Sequence, residues 1–143
     1  MGVKFYSKDW MEEVKTRMEN DKQYQSKAKD LSFKSQYVLT DCPGGIDKLV
    51  EWTMDKGILT DYKIEEKPAP SDYRKMPFDK NTYLMKVTGS YETYRKMNRK
   101  ELSPMMAIMT QVYKIEGPQL KILGMMGGMN AMQELMAAID TEF

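Results

Sequence analysis

The chain contains no histidine. Ser-His-Asp and Cys-His catalysis, imidazole acid–base chemistry and the commonest metal ligand are therefore outside its repertoire. It has a single cysteine, Cys42, so neither an intrachain disulfide nor a thiolate metal cluster can form. Charge of one sign is not in excess: 22 Lys and Arg stand against 21 Asp and Glu, a net charge of +1. Nucleic-acid binders normally show a strong basic excess or stripe, and this balance argues against that class. Long hydrophobic runs are missing too. The uncharged stretch over residues 122–133 is too short to span a bilayer and has the length of a buried helix. The opening segment, MGVKFYSKDWMEEV, is charged and has no signal-peptide core. Tyr6 occupies the position where myristoylation requires Ser or Thr. These absences point to a cytoplasmic protein without stable membrane insertion.

What is present is ordinary in bulk and unusual in detail. With 143 residues, 41% hydrophobic and 30% charged, the chain reads as one globular domain, residues 1–143. A domain of this size buries about 70% of the surface its unfolded form exposes and needs no metal to hold a core. Fifteen residues are methionine, and eight of these lie between Met105 and Met136. Charge runs the other way: fourteen charged residues fall in 1–34 and four in 105–139. The chain begins as a solvated surface and ends as an interior.

Local patterns divide the chain into elements. Ser7 caps a first helix, on which Trp10, Val14 and Met18 share one face. Asn20 or Asp21 caps a second short helix running to Lys29, with Tyr24 and Ala28 facing in. From Leu31 to Thr40 the period changes to two: Leu31, Phe33, Ser35, Tyr37 and Leu39 alternate with Ser32, Lys34, Gln36, Val38 and Thr40 as a half-buried strand. Cys42-Pro43-Gly44-Gly45 is a turn. Val50, Trp52 and Met54 lie on one face of the next strand. Asp55-Lys56-Gly57 turns the chain into a pairing strand through Ile58, Tyr62 and Ile64. Residues 65–81 hold three prolines and mixed charge, including Glu65, Glu66, Asp72 and Asp79, and read as a plain surface loop. Another strand follows over 82–87, with Tyr83, Met85 and Val87 on one face. Ser90 caps a helix buried through Tyr91, Tyr94 and Met97. Ser103-Pro104 starts a short apolar helix. Val112 to Glu116 is the last strand, and the tail from Gln119 to Ile139 is helical, with a break expected near Gly127-Gly128. The pattern is α+β, with helices packed on a mainly antiparallel sheet.

The stretch YLMKVTGSYETYRKMNRKELSPMMAIMTQVYKIEGPQLKILGMM resembles the sterol carrier protein 2 family, the SCP-2-like lipid-binding domain. The resemblance lies in a strand running into a helix at Tyr94-Arg95-Lys96, then a second short helix over 104–110. A strand ending Lys114-Ile115-Glu116-Gly117 and an apolar helix from Leu120 complete it. Trp10 on the first helix and Tyr24 on the second are similar as well. The chain departs from the family at Gln111-Val112, where a Gly-Lys pair is common, and at Pro118, where Asp or Asn is common. The resemblance implies a five-stranded sheet covered by helices around an apolar tunnel that holds a fatty acyl chain, sterol or isoprenoid-like lipid. It brings no catalytic residues; no spacing in the sequence resembles a metal motif, and no cofactor is expected.

Physical reading of the residues adds candidates for that ligand. Methionine is flexible and polarizable and recurs at adaptable apolar surfaces. On the tail, Met125, Met126 and Met129 lie on one helical side with Ile122, Met136 and Ile139. The opposite side carries Leu120, Leu123, Gly124, Gly127, Ala131, Leu135 and Ala138. Met105, Met106 and Met109 lie on a helix that reads as too apolar for the surface, suited to a tunnel wall or lid. Trp52 and Tyr62 lie on facing strands with polar tips expected to be free, and Met85 lies on a later strand. These nine are the expected ligand contacts. The leading expectation is non-enzymatic binding or carriage of an apolar ligand in a methionine-rich cavity. The alternative is an interaction module, a homodimer or an accessory subunit of a lipid-handling enzyme, with the methionine-rich C-terminal helix at the interface.

Overall fold

A computed structural model describes residues 2–143. The elements, in chain order, are β1 (Val3–Lys4), α1 (Lys8–Asn20), α2 (Lys22–Ala28), β2 (Phe33–Cys42), β3 (Ile46–Asp55) and β4 (Ile58–Pro68). A 3-10 turn (Asp72–Lys75), β5 (Met85–Ser90), α3 (Tyr91–Asn98), α4 (Pro104–Met109) and β6 (Tyr113–Glu116) follow. The chain closes with α5 (Gln119–Gly124), α6 (Met126–Ala137) and β7 (Thr141–Glu142). Five strands form one sheet in the order β4-β3-β2-β5-β6. Contacts cluster in two units: residues 1–33, 52–62 and 118–143 in the first, residues 34–51 and 63–117 in the second.

In the first unit the helix starts follow the caps. The Trp10 N–H donates to Ser7 Oγ at 3.2 Å, and the Tyr24 N–H to Asp21 Oδ1 at 2.9 Å. Both close one of the open donors of a helix N-terminus. Trp10, Met11, Val14 and Met18 are fully buried. Burying an apolar side chain of this size contributes about 1.5–3 kcal/mol. The Tyr24 hydroxyl donates to the Gly57 carbonyl at 2.6 Å, tying α2 to the β3–β4 turn. In that turn Lys56 and Gly57 both have positive φ, 50° and 85°, the geometry of a tight hairpin.

The tail differs from its expected pattern. It breaks at Met125, between α5 and α6, shortly before Gly127-Gly128. The glycine that matters for packing is Gly128. It is buried, and a Cβ there would stand 3.0 Å from Leu31 Cγ, whereas Gly124 and Gly127 face open space. The buried stripe of α6 is Gly128, Met132 and Leu135, continued by Ile139 beyond the helix. Met125, Met126 and Met129 are only half-buried, and Leu120 is 87% exposed. A short parallel pairing of β1 with β7, which no periodicity announces, brings the two ends of the chain together. The Trp10 indole N–H donates to Thr141 Oγ1 beside it.

In the second unit β2 and β5 are parallel, with Ser35 opposite Met85 and Tyr37 opposite Val87. β5 and β6 are antiparallel, with Val87 opposite Ile115 and Gly89 opposite Tyr113. The sheet is thus mixed. A parallel pair requires a long crossover rather than a tight turn. The centre of β2 is buried on both faces, from Ser35 through Leu39, where alternation alone suggests one.

The segment expected as a plain surface loop is built differently. Residues 65–68 extend β4, and the 3-10 turn buries Tyr73 against Val38 and Leu49, with Met76 packed on the cluster. Asp47, fully buried on β3, holds this segment. Its carboxylate accepts from the Asp41 N–H (3.0 Å), the Ser71 N–H (2.9 Å) and hydroxyl (2.7 Å), and Arg74 Nε (2.8 Å) and Nη2 (2.9 Å). The Arg74 guanidinium, aided by these amides, holds the Asp47 carboxyl well below the usual carboxylate range despite the cost of its burial. Farther along the sheet, Lys86 donates to the Met76 carbonyl and sits 3.9 Å from Glu116. Burial lowers its pKa, with Glu116 opposing the shift.

Candidate functional site

Strand pairing in the second unit assembles a surface that no single segment shows. Side chains on paired residues project to the same face of a sheet. The registers therefore align Ser35 with Met85, Tyr37 with Val87 and Ile115, and Leu39 with Gly89 and Tyr113. Gly89 leaves room for two rings: a Cβ there would stand 3.2 Å from Tyr113 and 3.4 Å from Tyr94. The Tyr94 and Tyr113 rings meet edge-on with centroids 5.5 Å apart, and the Tyr94 hydroxyl donates to the Val87 carbonyl at 3.1 Å.

The electrostatics of this face are uniform. Every aligned side chain on it is neutral at physiological pH. The Ser35 hydroxyl donates to the Tyr37 hydroxyl at 3.0 Å. Burial pushes the Tyr37 phenol up to about 12, with the Ser35 hydroxyl bond opposing the shift. Burial also holds Tyr113 far above an ordinary phenol, and Tyr37 adds to the effect. At the far end of β2, burial raises the Cys42 thiol to about 11, so it is no thiolate nucleophile. The opposite face carries the charges, with Lys86 opposite Glu116. The neutral face can offer apolar area, aromatic edges and a few hydroxyls. It has no ionised acid or base to move a proton.

The nine residues expected from the sequence fall in both units. Trp52 is 1% exposed, but its indole N–H is not free: it donates to Met11 Sδ at 3.2 Å within the core of the first unit. Tyr62 is half-buried, and its hydroxyl donates to Glu12 at 2.6 Å. Burial and this carboxylate push its phenol up to about 12. Both polar tips that were expected to be free are thus tied to α1. Met85 is buried on the neutral face. Met105, Met106 and Met109 are not core residues: Met105 is 63% and Met109 69% exposed. The reason is the shortness of α4. Its six residues bury one side chain, Ala107, and the rest of the turn faces outward. Met125, Met126 and Met129 are half-buried at the α5–α6 junction. An open groove in the first unit, lined by Arg17, Asn20, Asp21, Lys22, Leu135 and Ala138, contains none of the nine.

Sequence reasoning missed Tyr37, Ile115 and Tyr113 as members of one face. The alternation of β2 marks Ser35, Tyr37 and Leu39 as a set. Nothing in the sequence reveals that β5 pairs with β2 in parallel and brings Met85 and Val87 alongside.

No family model matches the sequence, and no curated protein does. Solved structures match it in shape. A conserved hypothetical protein from Thermus thermophilus, described as possibly a sterol carrier protein, superposes with a TM-score of 0.73 at 12% identity. That superposition covers 99% of this chain and 93% of that one. The crystal structure of sterol carrier protein 2 superposes with a TM-score of 0.71 at 11% identity, over 95% of this chain and 99% of that one. A sec-alkylsulfatase, solved as a double mutant, aligns over 85% of this chain but 16% of its own, with a TM-score of 0.55 at 17% identity. The chain therefore has the SCP-2-like fold, an α+β architecture around a five-stranded, mainly antiparallel sheet. No helix among the described residues is long and apolar enough to cross a membrane.

Proposed function

We propose that this chain binds an apolar ligand, a fatty acyl chain, sterol or isoprenoid-like lipid, and carries it without chemical change. The observation that carries the reading is the neutral face of the second unit. Buried Met85, Val87 and Tyr37, with half-buried Ile115 and Tyr113, bring together apolar and aromatic side chains with hydroxyls and no ionised group. A lipid tail matches such a surface, since burying each CH₂ is worth about 0.8 kcal/mol. A sixteen-carbon chain thus gains on the order of 12 kcal/mol before the costs of ordering it. The SCP-2-like fold supports the same class of ligand. Within the first unit, half-buried Met125, Met126 and Met129 are proposed, on the same chemical ground, as contacts for an apolar ligand. Trp52 and Tyr62, both engaged with α1, are proposed only as supports of that unit.

Native mass spectrometry of freshly purified protein, with solvent extraction of bound material, tests the reading. A near-stoichiometric co-purified lipid is expected. A clean apo mass that gains nothing from fatty acids, acyl-CoA or isoprenoids would refute it. The interaction-module reading has its own observation, the exposed Leu120 and Leu123 on α5. It predicts a concentration-dependent oligomer in sedimentation, and a strict monomer would remove it.

A further inference from the structure

We propose that Met105, Met106 and Met109 on α4 form a site of reversible oxidation by hydroperoxides, a change that turns this face of the helix from apolar to polar. Oxidisable side chains are plentiful in the chain: fifteen methionines, two tryptophans and one cysteine. The fold withdraws most of them. Trp10, Trp52 and Cys42 are buried. Burial also keeps the Cys42 thiol protonated, the form that reacts slowly with peroxide. Met11, Met18, Met54 and Met85 are buried, and Met11 Sδ accepts the Trp52 indole N–H at 3.2 Å. By contrast, Met105, Met106 and Met109 are 63%, 48% and 69% exposed. Every other methionine among the described residues is buried or half-buried.

The three sulfurs stand where oxygen can be added without cost to the fold. Met105 and Met109 lie one turn apart, with Cβ atoms about 5–6 Å from each other. The side chain that α4 buries is Ala107. The bonds that hold the helix use backbone and hydroxyl groups. Ser103 Oγ accepts from the Met106 N–H at 3.1 Å, and the Thr110 hydroxyl donates to the Met106 carbonyl at 2.7 Å. The Val112 N–H bonds back to the Ala107 carbonyl at 3.1 Å. An oxygen on any of the three sulfurs breaks none of these bonds. In the core the same oxygen is a polar atom without a donor, forced into a close-packed interior. No charged residue falls between Leu102 and Tyr113, so the methionines set the polarity of this surface.

Each step is a two-electron oxygen transfer. A sulfur lone pair attacks the terminal oxygen of the hydroperoxide; the S–O bond forms as the O–O bond breaks. The hydroperoxide proton passes to the departing oxygen. Sulfur is oxidised to the sulfoxide, and the peroxide is reduced to an alcohol, or to water when it is hydrogen peroxide. Thiol-dependent sulfoxide reductases reverse the change: the sulfoxide oxygen leaves as water and two thiols become a disulfide. The exposure that admits peroxide to α4 admits such an enzyme as well. A sulfoxide is polar where the thioether was apolar, so the exposed face loses its hydrophobic character while the turn beneath it stays folded. The inference holds with or without a carried lipid, and its test reads sulfur chemistry alone.

Exposure of the folded chain to dilute hydrogen peroxide, then unfolding, tryptic digestion and peptide mass spectrometry, tests it. The tryptic peptide 101–114 holds all three α4 methionines and no others, while Met11, Met18, Met54 and Met85 fall in four separate peptides. In the folded protein, peptide 101–114 is expected to gain oxygen about tenfold faster than those four, and in urea the rates are expected to converge. Protein oxidised in 101–114 alone is expected to keep its melting temperature and to elute earlier from a hydrophobic-interaction column. Methionine sulfoxide reductases with dithiothreitol are expected to restore both the peptide mass and the retention. A variant carrying Met105→Leu, Met106→Leu and Met109→Leu keeps the face apolar, and peroxide is expected to leave its retention unchanged. Four results would overturn the proposal: equal rates in the folded protein, a melting temperature that falls on oxidation of 101–114, sulfoxides there that the reductases leave in place, or a leucine variant whose retention still drops.

Discussion

Replacing Asp47 by Asn exchanges one oxygen for an NH₂ and should disarm the anchor of the second unit. The carboxylate receives five hydrogen bonds, all between 2.7 and 3.0 Å, and it is fully buried. The amide keeps one accepting oxygen and turns an NH₂ toward groups that are themselves donors. Hydrogen bonds to a charged group contribute about 1.5–3 kcal/mol each, and breaking a buried ion pair costs about 3–5 kcal/mol. The full figure is not expected, because Arg74 is partly exposed and retains Asp41 at 2.9 Å. A loss of about 2–4 kcal/mol follows. With a urea slope of about 2 kcal/mol per molar, the unfolding midpoint drops by about 1–2 M. The pH dependence supplies a second check. The folded pKa of Asp47 lies below its unfolded value. Its contribution is therefore complete above the ordinary carboxylate range and is lost as pH falls toward the folded value. The gap between wild type and variant should be widest at neutral pH and should close in acid. An unchanged midpoint, or a gap that stays constant into acid, would refute the reasoning.

Two further outcomes follow from the packing. Gly57→Ala places a Cβ 2.7 Å from the Ala28 carbonyl oxygen at a φ of +85°, so it should destabilise the protein in thermal or urea melts. The expected loss is about 1–3 kcal/mol, and a melting temperature equal to wild type would show that the β3–β4 turn relaxes freely. The Tyr37 and Tyr113 phenols should remain protonated in an alkaline absorbance titration well past the pH where exposed tyrosines ionise. Because their folded pKa values are raised, the stability they contribute is complete below about pH 10 and declines as pH rises through the folded values. Full ionisation of all tyrosines near pH ~10 with the fold intact would contradict the burial of this face.

The sequence by itself decided a good deal. Ser7, Asp21, Ser90 and Ser103 each sit at the helix start they announce, because a cap acts within three residues and needs no tertiary partner. The Lys56-Gly57 turn and the alternation of Ser35, Tyr37 and Leu39 were legible for the same reason. The absence of histidine excludes its chemistry from composition alone, and the stretch from Tyr83 onward carries the resemblance that the fold bears out. Only the tertiary structure decided how these pieces meet. The parallel pairing of β2 with β5 joins residues about fifty positions apart, and no local period encodes it. The 65–81 segment reads as polar loop because its inward-facing members, Tyr73 and the partly buried Met76, depend on Val38 and Leu49 across the chain. Asp47 reads as one more strand charge until Ser71 and Arg74 converge on it. Methionine content said that α4 is apolar, but not which way it faces. A helix of six residues has one side chain to plant, and the fold planted Ala107, leaving the methionines to water.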